Sequence, residues 1–485
     1  MTALAAEAQQ LPSASAPDRR RWVALGFISL AQLMIALDAT IVSIALPSAQ
    51  ASLGASDADR QWVITAYTLA FGGLLLLGGR IADKLGRKRA FLIGLAGFAF
   101  ASVIGGAAPN FAVLVAARAM QGAFAALLAP TALSLLAVTF TTTRERATGF
   151  AVYGSIAGSG AAIGMLLGGL LTQYLAWRWC LYVNLPIAVA AAVGGWMVVP
   201  GAAAQGRTWL DLHGLDLPGV LLASAGLVAL VYGASRAVGL GWSSTTVLSL
   251  FGASLILLAL FVWRESRTSS PALPLRILAD RNRSGAYLAV GLIIAGMFGA
   301  YLFLTYYLQV VLRYTPLQAG SAFLPITISS QLASWLIARR LMPRVPPRAL
   351  MAPGALVAAA GLALLTQLHA DSGFLTLVLP AEILLGVGIS TAMVPAFSTA
   401  THRVDPRAAG VASAIVNAAQ QIGASLGTAV LNTVAAGATA AFIGSRADAL
   451  VHGFAQATAL GAGIMVLGGV AAALLITAGR PLTKA

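Results

Sequence analysis

Three ionisable side chains lie deep inside long apolar stretches: Asp38, Arg118 and Glu382. An ion in hydrocarbon costs several kcal/mol, so each is a functional hypothesis by default. At 1.5 Å per residue, Asp38 lies roughly 13 Å inside the outer end of its stretch, Arg118 roughly 10 Å and Glu382 roughly 12 Å, which puts all three at one depth. A carboxyl group at that depth loses the water that stabilises its charge and can exchange a proton at physiological pH, and a neighbouring guanidinium would set how tightly the proton is held. That is the chemistry of proton coupling. The same residues also fit a quieter arrangement, with Asp38 and Arg118 as a static buried pair and Glu382 reaching to the outer surface.

The elements that must position these groups are membrane helices. Hydrophobic residues make up 59% of the 485 and charged residues 9%, against roughly a quarter charged in soluble domains. Fourteen apolar stretches are long enough to span a bilayer, at roughly 22–47, 62–79, 90–108, 111–137, 147–172, 180–200, 216–234, 245–263, 284–311, 318–338, 350–368, 374–400, 407–436 and 455–478. Twenty-four of the thirty Lys and Arg fall in one set of alternate loops with the two termini, five in the other set, and Arg118 inside a stretch. This asymmetry predicts that both termini are cytoplasmic in a multi-pass protein of the cell membrane. The net charge of +15 is thereby explained by orientation and needs no nucleic-acid partner.

Grouped as six, two and six, the stretches predict a loose N-terminus at 1–20, a six-helix bundle at 21–200, a linker with two extra membrane helices at 201–283, a second six-helix bundle at 284–478 and a tail at 479–485. Halves of similar length imply a parallel repeat, with substrate bound near mid-membrane between them. Arg118 and Glu382 each fall in the fourth span of their half. The single cysteine, Cys180, and four scattered histidines offer no disulfide framework and no metal site, and no cofactor is expected. No nucleophile with a base and no nucleotide loop points to an enzyme.

Gly79 to Arg89 reads GRIADKLGRKR. Gly79 and Gly86 suit a tight turn between helices, and Arg87, Lys88 and Arg89 hold it in the cytoplasm. These residues resemble the signature loop between the second and third spans of the major facilitator superfamily, which implies an all-α transporter fold and a cytoplasmic gate latch made by Asp83 and Arg87. Leu37 to Pro47 (LDATIVSIALP) and Arg118 to Ala126 (RAMQGAFAA) resemble motifs of its fourteen-span drug:proton antiporter family. There the aspartate and arginine serve proton and substrate coupling. Ser43 stands where that family usually has asparagine. Trp177 to Pro186 (WRWCLYVNLP), Asp216 to Gly219, Thr305 to Pro325 and Asp405 to Leu426 extend the resemblance over nearly the whole chain. In the fifth stretch Gly154, Gly158, Gly164, Gly168 and Gly169 form a small-residue ridge for close helix packing, and Met165 replaces the proline of the family's antiporter motif.

Trp62, Tyr67, Gln121, Phe303, Tyr306, Tyr307, Met393, Asn417, Gln420 and Gln421 lie on spans expected to border the cavity. Aromatic and methionine surfaces take flat apolar molecules, and amides give adaptable hydrogen bonds. Each would equally suit a lipid or helix contact. The expected function is proton-coupled efflux of amphipathic drugs by alternating access in a monomer surrounded by lipid. Alternatives are a dedicated exporter of one metabolite, such as an antibiotic or siderophore, and a non-transporting membrane sensor or scaffold.

Overall fold

A computed structural model of the chain describes residues 19–56, 59–140, 143–198, 216–268, 275–342, 344–369, 372–400 and 409–478. The expected N-terminal segment (but for Arg19 and Arg20), the C-terminal tail and 201–215 of the linker lie outside them. Every regular element among the described residues is a helix. In hydrocarbon a backbone must satisfy its own hydrogen bonds, and a helix does so locally.

The first bundle is α1 (Arg19–Leu53), α2 (Trp62–Leu85), α3 (Arg87–Gly106), α4 (Phe111–Thr139), α5 (Thr143–Tyr174), the single turn α6 (Trp179–Tyr182) and α7 (Asn184–Val198). Here α1 packs on α5, α7 and α4, and α4 also packs on α2 and α3. An added pair follows, α8 (Leu217–Leu240) and α9 (Thr245–Arg267), then the short α10 (Leu275–Leu278). The second bundle is α11 (Arg281–Tyr306), α12 (Pro316–Ala322), α13 (Leu324–Leu336), α14 (Arg348–Leu365), α15 (Leu379–Ala400), α16 (Ala409–Ala441) and α17 (Arg446–Leu475). Its packing centres on α11 with α16 and α17, and on α14 with α15 and α17. Ten described helical segments are long and apolar enough to cross a membrane, and three shorter apolar pieces lie in α2, α5 and α8.

The two bundles meet along α2 with α16 and along α5 with α12 and α13, and α8 lies against both α2 and α16. Trp62 tilts against Tyr232 at 5.7 Å between ring centroids, and Ser224 Oγ donates to the Gly73 carbonyl at 2.6 Å. The added pair is therefore fastened to the seam between the bundles.

Two sequence expectations change. Gly79 is inside α2, one ordinary contact from Pro130 of α4, and the turn to α3 is the single residue Gly86 at φ +83°. That left-handed conformation suits glycine, which has no Cβ to clash. The stretch at 318–338 is broken into α12 and α13. Pro325, at the second position of α13, has no N–H to continue the ladder from α12, and Thr315 with Gln318 forms a capping box that starts α12 afresh.

At the start of α8, Asp216 caps the helix by accepting from the Gly219 amide at 3.1 Å and accepts from Arg264 Nε of α9 at 2.5 Å. Burial alone would push this carboxyl up. The Arg264 hydrogen bond, the Gly219 amide and the neighbouring Glu265 outweigh it and hold Asp216 below the ordinary carboxylate range.

Candidate functional site

Asp38 and Arg118, eighty positions apart, meet. Asp38 sits midway along α1 and Arg118 two turns into α4, and both are buried, at 0% and 1% exposure. Arg118 Nη1 donates to Asp38 Oδ2 at 2.5 Å. Gln121, one turn further along α4, accepts from Arg118 Nη1 at 2.8 Å and donates through Nε2 to Asp38 Oδ1 at 3.0 Å. The second lone pair of Asp38 Oδ1 accepts from Asn184 Nδ2 at 2.7 Å. Four helices therefore frame one carboxylate, because Gln121 Nε2 also reaches Ser102 Oγ of α3 at 2.7 Å.

Arg118 is held by more than its counter-ion. Its Nε donates to the Val63 carbonyl at 3.0 Å, and its guanidinium lies 4.4 Å from the Tyr67 ring centroid. A cation over a ring face is attracted even without an anion. Arg118 thus keeps an amide, a carbonyl and a π face whatever the charge of Asp38. Burying an ion pair is costly unless its remaining hydrogen-bonding capacity is met, and this network meets most of it.

The glycine ridge brings α5 alongside. A Cβ on Gly164 would fall 2.2 Å from Thr40 Oγ1 and 2.8 Å from the Leu37 carbonyl, and one on Gly168 would fall 2.9 Å from the Ile41 carbonyl. The bare backbone of α5 therefore presses on the turn of α1 that carries Asp38. Gly169 faces the other bundle, where a Cβ would lie 2.5 Å from the Pro316 carbonyl. Met165 is buried in the same contact, its carbonyl against Gly320, and α5 runs through it with no proline among the residues from Thr143 to Tyr174. Gly154 and Gly158 lie on α5 outside the residues whose surroundings are described.

Glu382 does not join this cluster. It sits in the first turn of α15, fully buried, beside the backbone of Ile326. Neither of its oxygens has a hydrogen-bond partner among the described residues.

The aromatic candidates point different ways. Phe303 stacks on Phe454 of α17 at 5.3 Å. Tyr307 donates to the carbonyls of His369 and Ser372 at 2.9 and 3.1 Å. Tyr306 crosses to the first bundle, where its hydroxyl bonds Gln50 Oε1 and its ring carries the Arg60 guanidinium at 4.0 Å. Nearby, Gln309 Nε2 donates to the Ile44 carbonyl at 2.9 Å, and the Leu317 amide donates to Gln173 Oε1 at 3.2 Å. The bundles are thus tied together at the end of the molecule remote from the start of α1. Met393 is buried within the second bundle. On α16, Gln420 donates to Asn417 at 3.4 Å, and the Gln421 Cβ packs on Gly72 of α2. Arg87 opens α3 and is exposed; the side chain of Asp83 lies outside the described residues.

Sequence reasoning missed Asn184, Ser102, Gln50 and Arg60. The signals available for Asn184 were an amide among apolar neighbours and its place within the string Trp177 to Pro186. Nothing in one dimension marks Ser102, and Gln50 and Arg60 read as ordinary residues at a span end.

Comparison with known proteins now gives this geometry a family. The chain is 51% identical over 469 residues to the puromycin resistance protein pur8 of Streptomyces alboniger, covering 95% of this chain and 92% of that protein. It is 38% identical over 430 residues to the cephamycin export protein CmcT of Amycolatopsis lactamdurans, covering 88% and 87%. Among solved structures, a bacterial homologue of the human lysosomal transporter Spinster, inward-facing and unoccupied, superposes with a TM-score of 0.67 at 15% identity, over 95% of this chain and 98% of that one. At that identity the likeness concerns the fold alone. Residues 28–428 match the sequence model of the Major Facilitator Superfamily, and the chain belongs to that superfamily of membrane transporters, which are not enzymes.

Proposed function

We propose that the chain is a drug:proton antiporter of the cell membrane, exporting amphipathic, antibiotic-like compounds by alternating access. The observation that carries the reading is the buried Asp38 carboxylate, gripped by Arg118, Gln121 and Asn184. Its guanidinium partner keeps uncharged contacts to Gln121, Val63 and Tyr67. The charge on Asp38 can be removed without leaving Arg118 stranded, which a proton carrier requires and a static pair does not. Relatives named for puromycin resistance, cephamycin export and multidrug resistance support export as the direction.

In the proposed cycle the end tied by Tyr306, Gln50, Arg60 and Gln309 is the extracellular side, closed. With the outside shut, Asp38 is ionised and paired, as expected after a proton has left to the cytoplasm and a drug can enter from there. Opening outward gives Asp38 a water path and lets it take a proton as the drug leaves. Asp83 and Arg87 latch the cytoplasmic side in that phase, and Glu382 is a second proton carrier in the other half. The chain makes fourteen spans with both termini in the cytoplasm, and acts as a monomer with halves at 21–200 and 284–478 joined by 201–283. In everted vesicles carrying a pH-sensitive dye, Asp38→Asn is expected to abolish proton movement driven by drug; exchange at the wild-type rate would overturn the coupling assignment.

A second reading, a dedicated exporter of one metabolite, is favoured by relatives named for single compounds, among them a tetracenomycin C resistance and export protein of Streptomyces glaucescens. Growth inhibition over a panel of dyes and antibiotics separates the two, because a dedicated exporter protects against one chemical class only.

A further inference from the structure

The cage around Asp38 is built for a carboxylate. Among the described residues every group that hydrogen-bonds its oxygens is a donor: Arg118 Nη1, Gln121 Nε2 and Asn184 Nδ2. A protonated Asp38 carries an O–H that needs an acceptor, and leaving a buried donor unmet is costly. Arg118 has no acceptor to offer. Gln121 is fixed at both ends, with Oε1 taken by Arg118 and Nε2 shared between Asp38 and Ser102. Asn184 differs. Its amide makes one bond, to Asp38, and its Oδ1 is buried with no hydrogen-bond partner among the described residues.

We propose that Asn184 is the positioning residue that lets this cage hold Asp38 in either protonation state. Its Nδ2 donates to the carboxylate, and after the amide turns over, its Oδ1 accepts from the carboxylic acid. The inference rests on the proton-coupling reading above. The two ends of an asparagine amide are so alike in size that either orientation fits the same space, and among the described residues turning it breaks no bond except the one to Asp38. The backbone beneath it is fixed. Asn184 is the first residue of α7, directly after the turn in which the Val183 amide bonds the Trp179 carbonyl at 3.0 Å, and Pro186 follows in the first turn.

The other charged or titratable groups facing Asp38 are few. Arg118 comes from α4, the Tyr67 phenol lies beyond it on α2, and the Cys180 thiol of α6 is within electrostatic reach while bonded to Thr172 and the Gly168 carbonyl. Among the described residues α3 and α5 present neutral groups, Ser102, Gly164 and Gly168, and α7 presents Asn184 itself. The contacts of α11 and α12 with the first bundle lie further along, at Ile44, Gln50 and Gln173, where Arg60 and Tyr306 also sit.

The test is infrared difference spectroscopy of the purified full-length protein, titrated over about pH 5 to 9. The carboxylic C=O band that Asp38→Asn removes is assigned to Asp38. Asn184→Leu keeps the volume but removes both functions. A bond to the charged form is roughly twice as strong as one to the neutral form, so the midpoint of that band should rise by about one pH unit, a tenfold change in proton affinity. The band should also move to the frequency of an unbonded acid. In the wild type, isotope-labelled asparagine should show its amide C=O becoming hydrogen-bonded at the Asp38 midpoint, a signal absent from the isosteric Asn184→Asp and independent of whether Asn184→Leu folds. An Asp38 band unchanged by Asn184→Leu, or an asparagine signal that does not follow it, overturns the inference and leaves proton coupling standing. Absence of any Asp38-dependent band across the titration overturns the coupling reading itself.

Discussion

A side chain in hydrocarbon is judged by what meets its charge, and Arg118 illustrates how much geometry that takes. Its planar fork serves Asp38, Gln121 and the Val63 carbonyl together while its face lies on Tyr67. Lysine would bring the same charge as a compact ammonium and could not hold those directions at once. Arg118→Lys is therefore expected to cut the initial rate of drug export by about tenfold or more while the protein remains folded, a loss of at least one charge-assisted hydrogen bond; transport into proteoliposomes measures it. Asp38 and Arg118 could be singled out from the sequence because charges are rare within membrane spans. Asn184 could not be joined to them, since it is 146 positions from Asp38 and its approach depends on the break between α6 and α7.

At the scale of elements, the helix pair α1 and α5 depends on glycines that permit backbone approach. Gly164→Val would drive carbon into Thr40 Oγ1 and the Leu37 carbonyl. The expected destabilisation is about 1 to 3 kcal/mol, visible as a lower thermal midpoint in detergent. Gly252→Ala on α9, where a Cβ meets nothing within 4 Å, should not lower the midpoint, since alanine in an open helix position is if anything stabilising, and serves as the control. The α8–α9 pair is joined through Asp216, whose proton affinity is lower folded than unfolded. Its contribution to stability is therefore full above the ordinary carboxylate value, 3.8, and is lost as pH falls through the lower folded value. Asp216→Asn should destabilise by up to about 1 kcal/mol near neutral pH, since Arg264 is partly exposed. Its thermal midpoint should begin to approach the wild-type one only as pH falls below about 4, and meet it below the depressed folded value.

Over the whole molecule, one end is sealed by contacts that cross between bundles, and Gly169 lies at its edge against Pro316 and Leu317. A larger residue there cannot coexist with the seal. Gly169→Leu is expected to hold the protein with this end open, so that a cysteine at Ile44, in a Cys180→Ser background, reacts several-fold faster with a membrane-impermeant thiol reagent added outside whole cells. Unchanged labelling would mean that this end is not the extracellular gate. Tyr306 shows why such a closure is hidden from sequence reasoning. As one aromatic among several near a span end it suits a drug cavity or an interface anchor, and only the position of α1 brings its hydroxyl to Gln50 and its ring to Arg60.

Hydropathy determined that the chain is a bundle of membrane helices, because solvation by lipid or water acts on each residue wherever its neighbours are. The same argument isolated three charges, Asp38, Arg118 and Glu382, of which the first two pair. Which partners those charges find, that Glu382 remains apart, that the 318–338 stretch is two helices and that one end is shut were decided by tertiary packing. Those outcomes depend on the rotation and tilt of each helix, and a few ångströms there choose between a hydrogen bond and none.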